Sequence, residues 1–153
     1  MLRPIELTDA ATLKKINAEQ LGYDFPLELT HQQLSKLIKD QHHYFLIYED
    51  DITNEVAGYL HAEVYESLYS LPMFNVLALA VDKKFSRKGI GKQLMIALEE
   101  EAQKRNFERI RLNSGEKRTQ AHKFYEAIGY TSDKSQKRFL KTLQQNQKMH
   151  STI

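Results

Sequence analysis

The chain has 153 residues, 41% of them hydrophobic, enough for one domain with a core of its own. It contains no cysteine, which excludes disulfides, thiolate metal sites and cysteine nucleophiles. Its 22 basic and 20 acidic residues leave a net charge of +2, too balanced for nucleic acid as a general partner, and no apolar run is long enough for a signal peptide or a membrane span, so a cytoplasmic location is expected.

The periodicity alternates between helical and extended segments, the pattern of a mixed α/β domain. Thr8 and Asp9 are expected to cap a first helix with Leu13, Ile16 and Leu21 at roughly helical spacing, ended by Gly22. Thr30 and Gln33 read as a capping box for a second helix whose inner face is Leu34, Leu37 and Ile38. His43 to Tyr48 reads as a strand, Glu49 to Glu55 as a polar hairpin turn and Val56 to Tyr65 as the partner strand. Phe74 to Val81 is nearly continuous in apolar residues and is expected to be a central strand buried on both faces.

Gly91 to Lys104 follows as a helix with Leu94, Ala97, Leu98 and Ala102 in one apolar stripe and Glu99, Glu100 and Glu101 outside it. Arg109 to Leu112 reads as a short strand and Thr119 to Ile128 as a helix ending at Gly129. Arg138 to Thr142 is expected to form a last strand. Residues 1–143 are read as a single domain, and 144–153 as a polar tail without periodicity.

The chemistry-bearing stretch is FNVLALAVDKKFSRKGIGKQLM, where the apolar strand runs through a basic, glycine-bearing turn into an amphipathic helix. Such a junction suits phosphate: glycines admit a ligand to the backbone, the first helical turn has N–H groups without intrahelical acceptors, and Arg87, Lys88 and Lys92 add charge. A Walker A loop would need glycine at Ser86 and Ser or Thr at Gln93, and a dinucleotide fingerprint would need glycine or alanine at Leu94. Both are excluded. An ordinary strand-to-helix turn is the other reading of Gly89 and Gly91 taken alone. The histidines show no metal-ligand spacing, so no metal is expected.

A second element, AHKFYEAIGY at Ala121 to Tyr130, gives the turn an owner. LAVDKKFSRKGIGKQLM and NSGEKRTQAHKFYEAIGY together resemble the GNAT superfamily of acetyl-CoA-dependent N-acetyltransferases, over most of residues 1–143. The resemblance implies a mixed, mostly antiparallel sheet flanked by helices, with a bulge that splays two central strands apart to receive acetyl-CoA. It implies that Leu79, Ala80 and Val81 offer backbone groups to the pantetheine arm. Ser86, Arg87, Lys88, Gly89, Ile90, Gly91 and Lys92 would surround the pyrophosphate, and Asn113 and Tyr125 would lie near the thioester. One departure is Ser86, which stands where the family usually has Arg or Gln.

The implied reaction is direct attack of a neutral amine on the thioester. An alkyl amine with a pKa of about 10.4 is mostly protonated at neutral pH, so a base is needed, and the departing thiolate benefits from a donor. Tyr125 is the expected donor, with a plain core aromatic as its other reading. Many relatives carry the basic carboxylate where this chain has Leu77, so the base falls to Glu63, Glu66 or His61, and Glu63 is favoured. Alternation puts His61 and Glu63 on one strand face and Glu66 on the other.

The acceptor is expected to be a small-molecule amine. A protein or peptide N-acetyltransferase and a catalytically weak acyl-CoA-binding regulatory module are the alternatives. The aromatic connection YESLYSLPMF would wall either a substrate pocket or a homodimer interface.

Overall fold

The computed structural model describes residues 1–144. Its contacts divide the chain into two compact units, Met1–Gly115 and one that begins at Glu116.

The first unit holds a five-stranded sheet in the order β1-β2-β3-β4-β5. The strands are β1 Leu2–Arg3, β2 His43–Glu49, β3 Val56–Ser67, β4 Ser70–Val81 and β5 Ile110–Leu112. Neighbours are antiparallel from β1 to β4, and β4–β5 is parallel, with Ile90–Lys104 (α3) as the crossover. This is the mixed, mostly antiparallel sheet expected from sequence.

Ile47, Tyr59 and Ala80 bury one sheet face against Ala10, Leu13 and Ile16 of α1 (Ala10–Ile16) and Leu34 of α2 (Leu27–Leu37). On the other face α3 packs against β3 and β4 with its Leu94, Met95 and Leu98 fully buried. There the Phe74 ring meets Phe107 edge-on at 5.0 Å, and the Arg105 guanidinium lies 5.1 Å from the Phe74 centroid. Each large side chain removed from water in this way stabilises the fold by about 1.5–3 kcal/mol. Within the sheet β3 and β4 approach so closely at Gly58 that a Cβ there would stand 2.8 Å from the Ala80 carbonyl oxygen.

Two helix starts differ from expectation. A 3-10 turn, Leu7–Asp9, with Glu6 as its N-cap precedes α1; Asp9 is the N-cap residue of α1 as expected, but its side chain makes no bond into that helix and instead accepts from the Glu6 N–H at 2.8 Å and pairs with Arg3. α2 begins at Leu27, with Pro26 as its N-cap at ψ 140° and the Pro26 carbonyl taking the first intrahelical bond, from the Thr30 N–H at 2.9 Å. Thr30 therefore sits inside the helix, and its hydroxyl donates back to the Pro26 carbonyl at 3.0 Å instead of forming a capping box with Gln33. Beyond α1 the chain continues as a π-turn, Asn17–Leu21, ended by Gly22 at φ +76°.

The second unit holds α4, Thr119–Ala127, stopped by Gly129 at φ +100°. The expected strand at Arg138 to Thr142 is absent: no regular structure follows α4 among the described residues, and Phe139 and Leu140 are exposed. A short β-prone run becomes a strand only where a sheet edge pairs with it. Of the expected tail 144–153, all but Gln144 lies outside the described residues.

Candidate functional site

β4 is built to leave a backbone edge open. Its partners on β3 shift register between His61, opposite Ala78, and Ala62, opposite Val76, so Leu77 stands unpaired as a bulge. Leu77 is 46% exposed, which corrects the expectation of a strand buried on both faces throughout. Parallel pairing with β5 ends at Val76–Leu112, while β4 runs on to Val81. From Leu77 to Val81 the far edge of β4 has no strand partner among the described residues.

The phase of the ladder says which groups that edge presents. The Asp82 N–H donates to the Ala57 carbonyl at 2.8 Å, and in an antiparallel pair bonded and non-bonded positions alternate. Ala80 therefore bonds to Tyr59 on β3, whereas Leu79 and Val81 turn their N–H and C=O groups to the open edge. Of the three residues expected to meet an extended ligand, Ala80 instead gives its side chain to the core, at 4% exposure.

The open edge leads into the basic turn. Asp82 accepts from the Lys84 N–H at 3.1 Å and starts a 3-10 turn, Lys83–Phe85, whose Phe85 is buried and anchors the loop. Lys84 and Lys88 lie over the Phe85 ring at 5.6 and 5.5 Å. Ser86, Arg87, Lys88 and Gly89 are exposed. Arg87 at φ +64° and Gly89 at φ +74° are both left-handed, an arrangement a non-glycine residue such as Arg87 rarely adopts. Gly89 is the N-cap of α3, and the first intrahelical bond runs from Gln93 N–H to the Gly89 carbonyl at 3.0 Å. The amides of Ile90, Gly91 and Lys92 are thus left for an outside acceptor at the positive end of the helix dipole. The Ile90 side chain is buried, so it offers its amide alone. Arg87, Lys88 and Lys92 form no ion pair among the described residues.

At the other end of β4 a polar row crosses the sheet on the α1–α2 face. Register places His43 on β2 opposite Glu63 on β3, Glu63 opposite Asn75 on β4, and Asn75 opposite Arg111 on β5. The Asn75 side-chain amide donates to the Glu63 carboxylate at 2.8 Å, and Arg111 Nη1 donates to Asn75 Oδ1 at 2.9 Å. Arg111 also lies 4.7 Å from the Tyr65 ring centroid and reaches Asn113 Oδ1 at 3.4 Å. One step nearer the bulge, His61 stacks on Phe45 at 4.0 Å and its Nε2 meets His43 Nδ1 at 2.9 Å. Burial first, and the neighbouring His43 second, push the His61 pKa down to about 3. His61 and Glu63 do share a face, while Glu66 is exposed within a second register shift of β3. Asn113 is exposed past the end of β5, and next to it Ser114 Oγ is buried without a protein partner.

Tyr125, in the second unit, is half-buried on α4, edge-on to Phe124 at 5.1 Å and to Tyr130 at 6.1 Å. Burial raises its phenol above the ordinary value, with Arg118 acting the other way, so the hydroxyl keeps its proton at neutral pH.

The sequence reading missed Asn75, the hydrogen-bond partner of Glu63, and Arg111 and His43 in the same row of the sheet. The signal was present as polar residues within apolar strands, Asn75 in FNVLALAV and Arg111 in RIRLN, but their meeting depends on a register that runs across four strands. Among the described residues no group of three or more potential metal ligands occurs, and no helix is long and apolar enough to cross a membrane.

The open edge, the left-handed turn and the orphaned Ser114 hydroxyl fit an extended arm that leads into a pyrophosphate, as in acetyl-CoA. Solved structures share the architecture. Aminoglycoside antibiotic 6'-N-acetyltransferase AAC(6')-Ih from Acinetobacter baumannii is similar with a TM-score of 0.81 at 18% identity, over 94% of this chain and 99% of that one. AAC(6')-Iy in complex with the bisubstrate analog CoA-S-monomethyl-acetylneamine gives 0.81 at 16% identity, over 94% and 98%. A transcriptional regulator from Bacillus halodurans C-125 gives 0.81 at 19% identity, over 92% and 98%. At these identities the likeness is one of fold. No curated protein matches the sequence. The family model for the acetyltransferase (GNAT) family matches residues 10–130, spanning both units, and the chain belongs to that family of acyltransferases.

Proposed function

We propose that this protein transfers the acetyl group of acetyl-CoA to the primary amine of a small molecule, by direct attack in a ternary complex, with residues 1–143 acting as one catalytic domain. The single observation that carries the reading is the open β4 edge running from the Leu77 bulge into the left-handed, basic turn before α3. Acetyl-CoA supplies an activated thioester. Leu79 and Val81 offer backbone groups to its pantetheine arm, and Ser86 to Lys92 offer amides and charge to its pyrophosphate. Arg87 and Lys88 take over the part of the long donor that Ser86 lacks. Asn113 lies near the thioester in this reading.

Glu63 takes a proton from the acceptor ammonium. The neutral amine nitrogen then bonds to the acetyl carbon, the carbon–sulfur bond breaks, and Tyr125 donates its proton to the sulfur. The second proton lost by the nitrogen restores the Tyr125 phenol, while Glu63 releases the first to solvent. Leu77 carries no carboxylate, but Glu63 lies only one row of the sheet beyond His61, whose partner on β4 adjoins the bulge. That placement favours turnover over a binding module.

The test is a broad amine panel assayed by release of free thiol from acetyl-CoA, with peptides included. Thiol release with small amines supports the reading. Release with peptides alone would move the protein to the peptide-modifying class, and acetyl-CoA binding without release to any amine would make it a binding module.

A further inference from the structure

Arg111 is half-buried, yet no carboxylate pairs with it among the described residues. Among the described residues its side-chain acceptors are two neutral amide oxygens, Asn75 Oδ1 at 2.9 Å and Asn113 Oδ1 at 3.4 Å, and its guanidinium lies over the Tyr65 ring. A guanidinium has five N–H donors in a planar fork, and partial burial without a counter-ion is costly unless a ligand supplies the charge.

A carboxylate in the same row of the sheet, Glu63, is held apart from Arg111 by Asn75. Both ends of the Asn75 carboxamide are used, the nitrogen donating to Glu63 and the oxygen accepting from Arg111. Asn75 therefore acts as a spacer, keeping one anion and one cation side by side on the sheet without letting them neutralise each other. The pair is complementary to a ligand with the opposite order of charges, an ammonium for Glu63 and an anion for Arg111. A polycation is poorly served here, since it meets a single carboxylate beside a fixed positive charge.

We propose that Arg111, oriented by Asn75 and Tyr65, determines acceptor specificity, and that the acceptor is a compact amine with a carboxylate or phosphonate close to its amino group. The proposal rests on the reading of the protein as an amine acetyltransferase with Glu63 at the acceptor. Arg111 gives the planar fork that such oxygens fit bidentately, and its stacking on Tyr65 fixes the plane of the fork before the acceptor arrives.

The experiment compares matched acceptors by thiol release: 3-aminopropanoate with propylamine, 2-aminoethylphosphonate with ethylamine, and neamine as the polycation. The expected result is kcat/KM for each anionic member about 10- to 100-fold above its neutral partner, with neamine below both anionic amines. The two anionic arms separate carboxylate from phosphonate. In Arg111→Met the anionic-to-neutral ratio collapses toward one, and Arg111→Lys keeps part of it. Asn75→Asp, which puts a carboxylate directly on Arg111, also lowers the ratio, and thermal melts check that each variant is folded. A wild type that prefers neutral amines or neamine, or an Arg111→Met variant with an unchanged ratio, overturns the proposal and leaves the amine acetyltransferase reading standing. Acetyl-CoA binding without release to any amine removes that reading, and the proposal with it.

Discussion

Asn75 on β4 donates its side-chain amide to the Glu63 carboxylate on β3 at 2.8 Å, across a registered antiparallel pair. The bond fixes one carboxylate oxygen, and no second protein donor reaches the group among the described residues. The Glu63 carboxylate is thus oriented but still available as a proton acceptor. An isolated glutamate on a strand would have neither the fixed rotamer nor the direction.

Glu63→Gln is the substitution that separates charge from shape. The glutamine carbonyl can still accept from Asn75, so the row keeps its geometry while the base is lost. The expected result is a fall in kcat/KM of about 10²- to 10⁴-fold, with acetyl-CoA affinity kept. A variant that retains the wild-type kcat/KM would remove Glu63 from the mechanism.

Gly89 tests the turn. Its φ of +74° disfavours any side chain, yet a Cβ there would meet no atom within 4 Å, so the cost of Gly89→Ala is conformational and not steric. That cost is about 1–2 kcal/mol and is relieved by turning the backbone, which moves the first amides of α3 away from a pyrophosphate. Calorimetry on Gly89→Ala is expected to show acetyl-CoA binding weakened by about tenfold or more while the fold persists. Unchanged affinity would mean that the turn only joins β4 to α3.

Much of this turn could be read from the sequence because it is local. Gly89 and Gly91 sit between an apolar run and an amphipathic helix, and the order strand, turn, helix is written in the 22 consecutive residues from Phe74 to Met95. The sheet row could not be read in the same way. Asn75 and Arg111 lie 36 positions apart, and a register change of one residue would send either to the opposite face. The Leu77 bulge is what brings Asn75 and Ala78 to the same face, and nothing in FNVLALAV signals which residue bulges. Thr30 misled because its own cap motif competed with Pro26, which caps α2 four residues earlier. Phe139 and Leu140 carry strand propensity without a partner, which is propensity overruled by tertiary context.

Tyr125→Phe removes one hydroxyl from α4 and leaves the ring contacts with Phe124 and Tyr130 intact. Since burial keeps this phenol protonated, the variant is expected to lose about 10²- to 10⁴-fold in kcat, with acetyl-CoA affinity little changed. Full kcat in the variant would leave Tyr125 as a packing residue alone.

His61 predicts how stability depends on pH. Its pKa is lowered by burial from the ordinary 6.5 to about 3 in the folded protein. The titratable groups that face it are His43 on β2, bonded at 2.9 Å, and Glu63 one row further along β3. Between those two pKa values the unfolded chain binds a proton at this position and the folded chain does not. Stability is therefore fully present above about pH 6.5 and is lost as the pH falls toward 3. By pH 5 the loss is on the order of 1–2 kcal/mol. Carboxylates add their own losses at lower pH, so the useful window is pH 5 to 7. Chemical denaturation of wild type across that window is expected to show the decline, and His61→Leu, which keeps an apolar side chain against Phe45, is expected to flatten it. An equal slope in both proteins would show that His61 is protonated in the fold at mild acidity, and that the sheet face between α1 and the polar row is wetter than its burial implies.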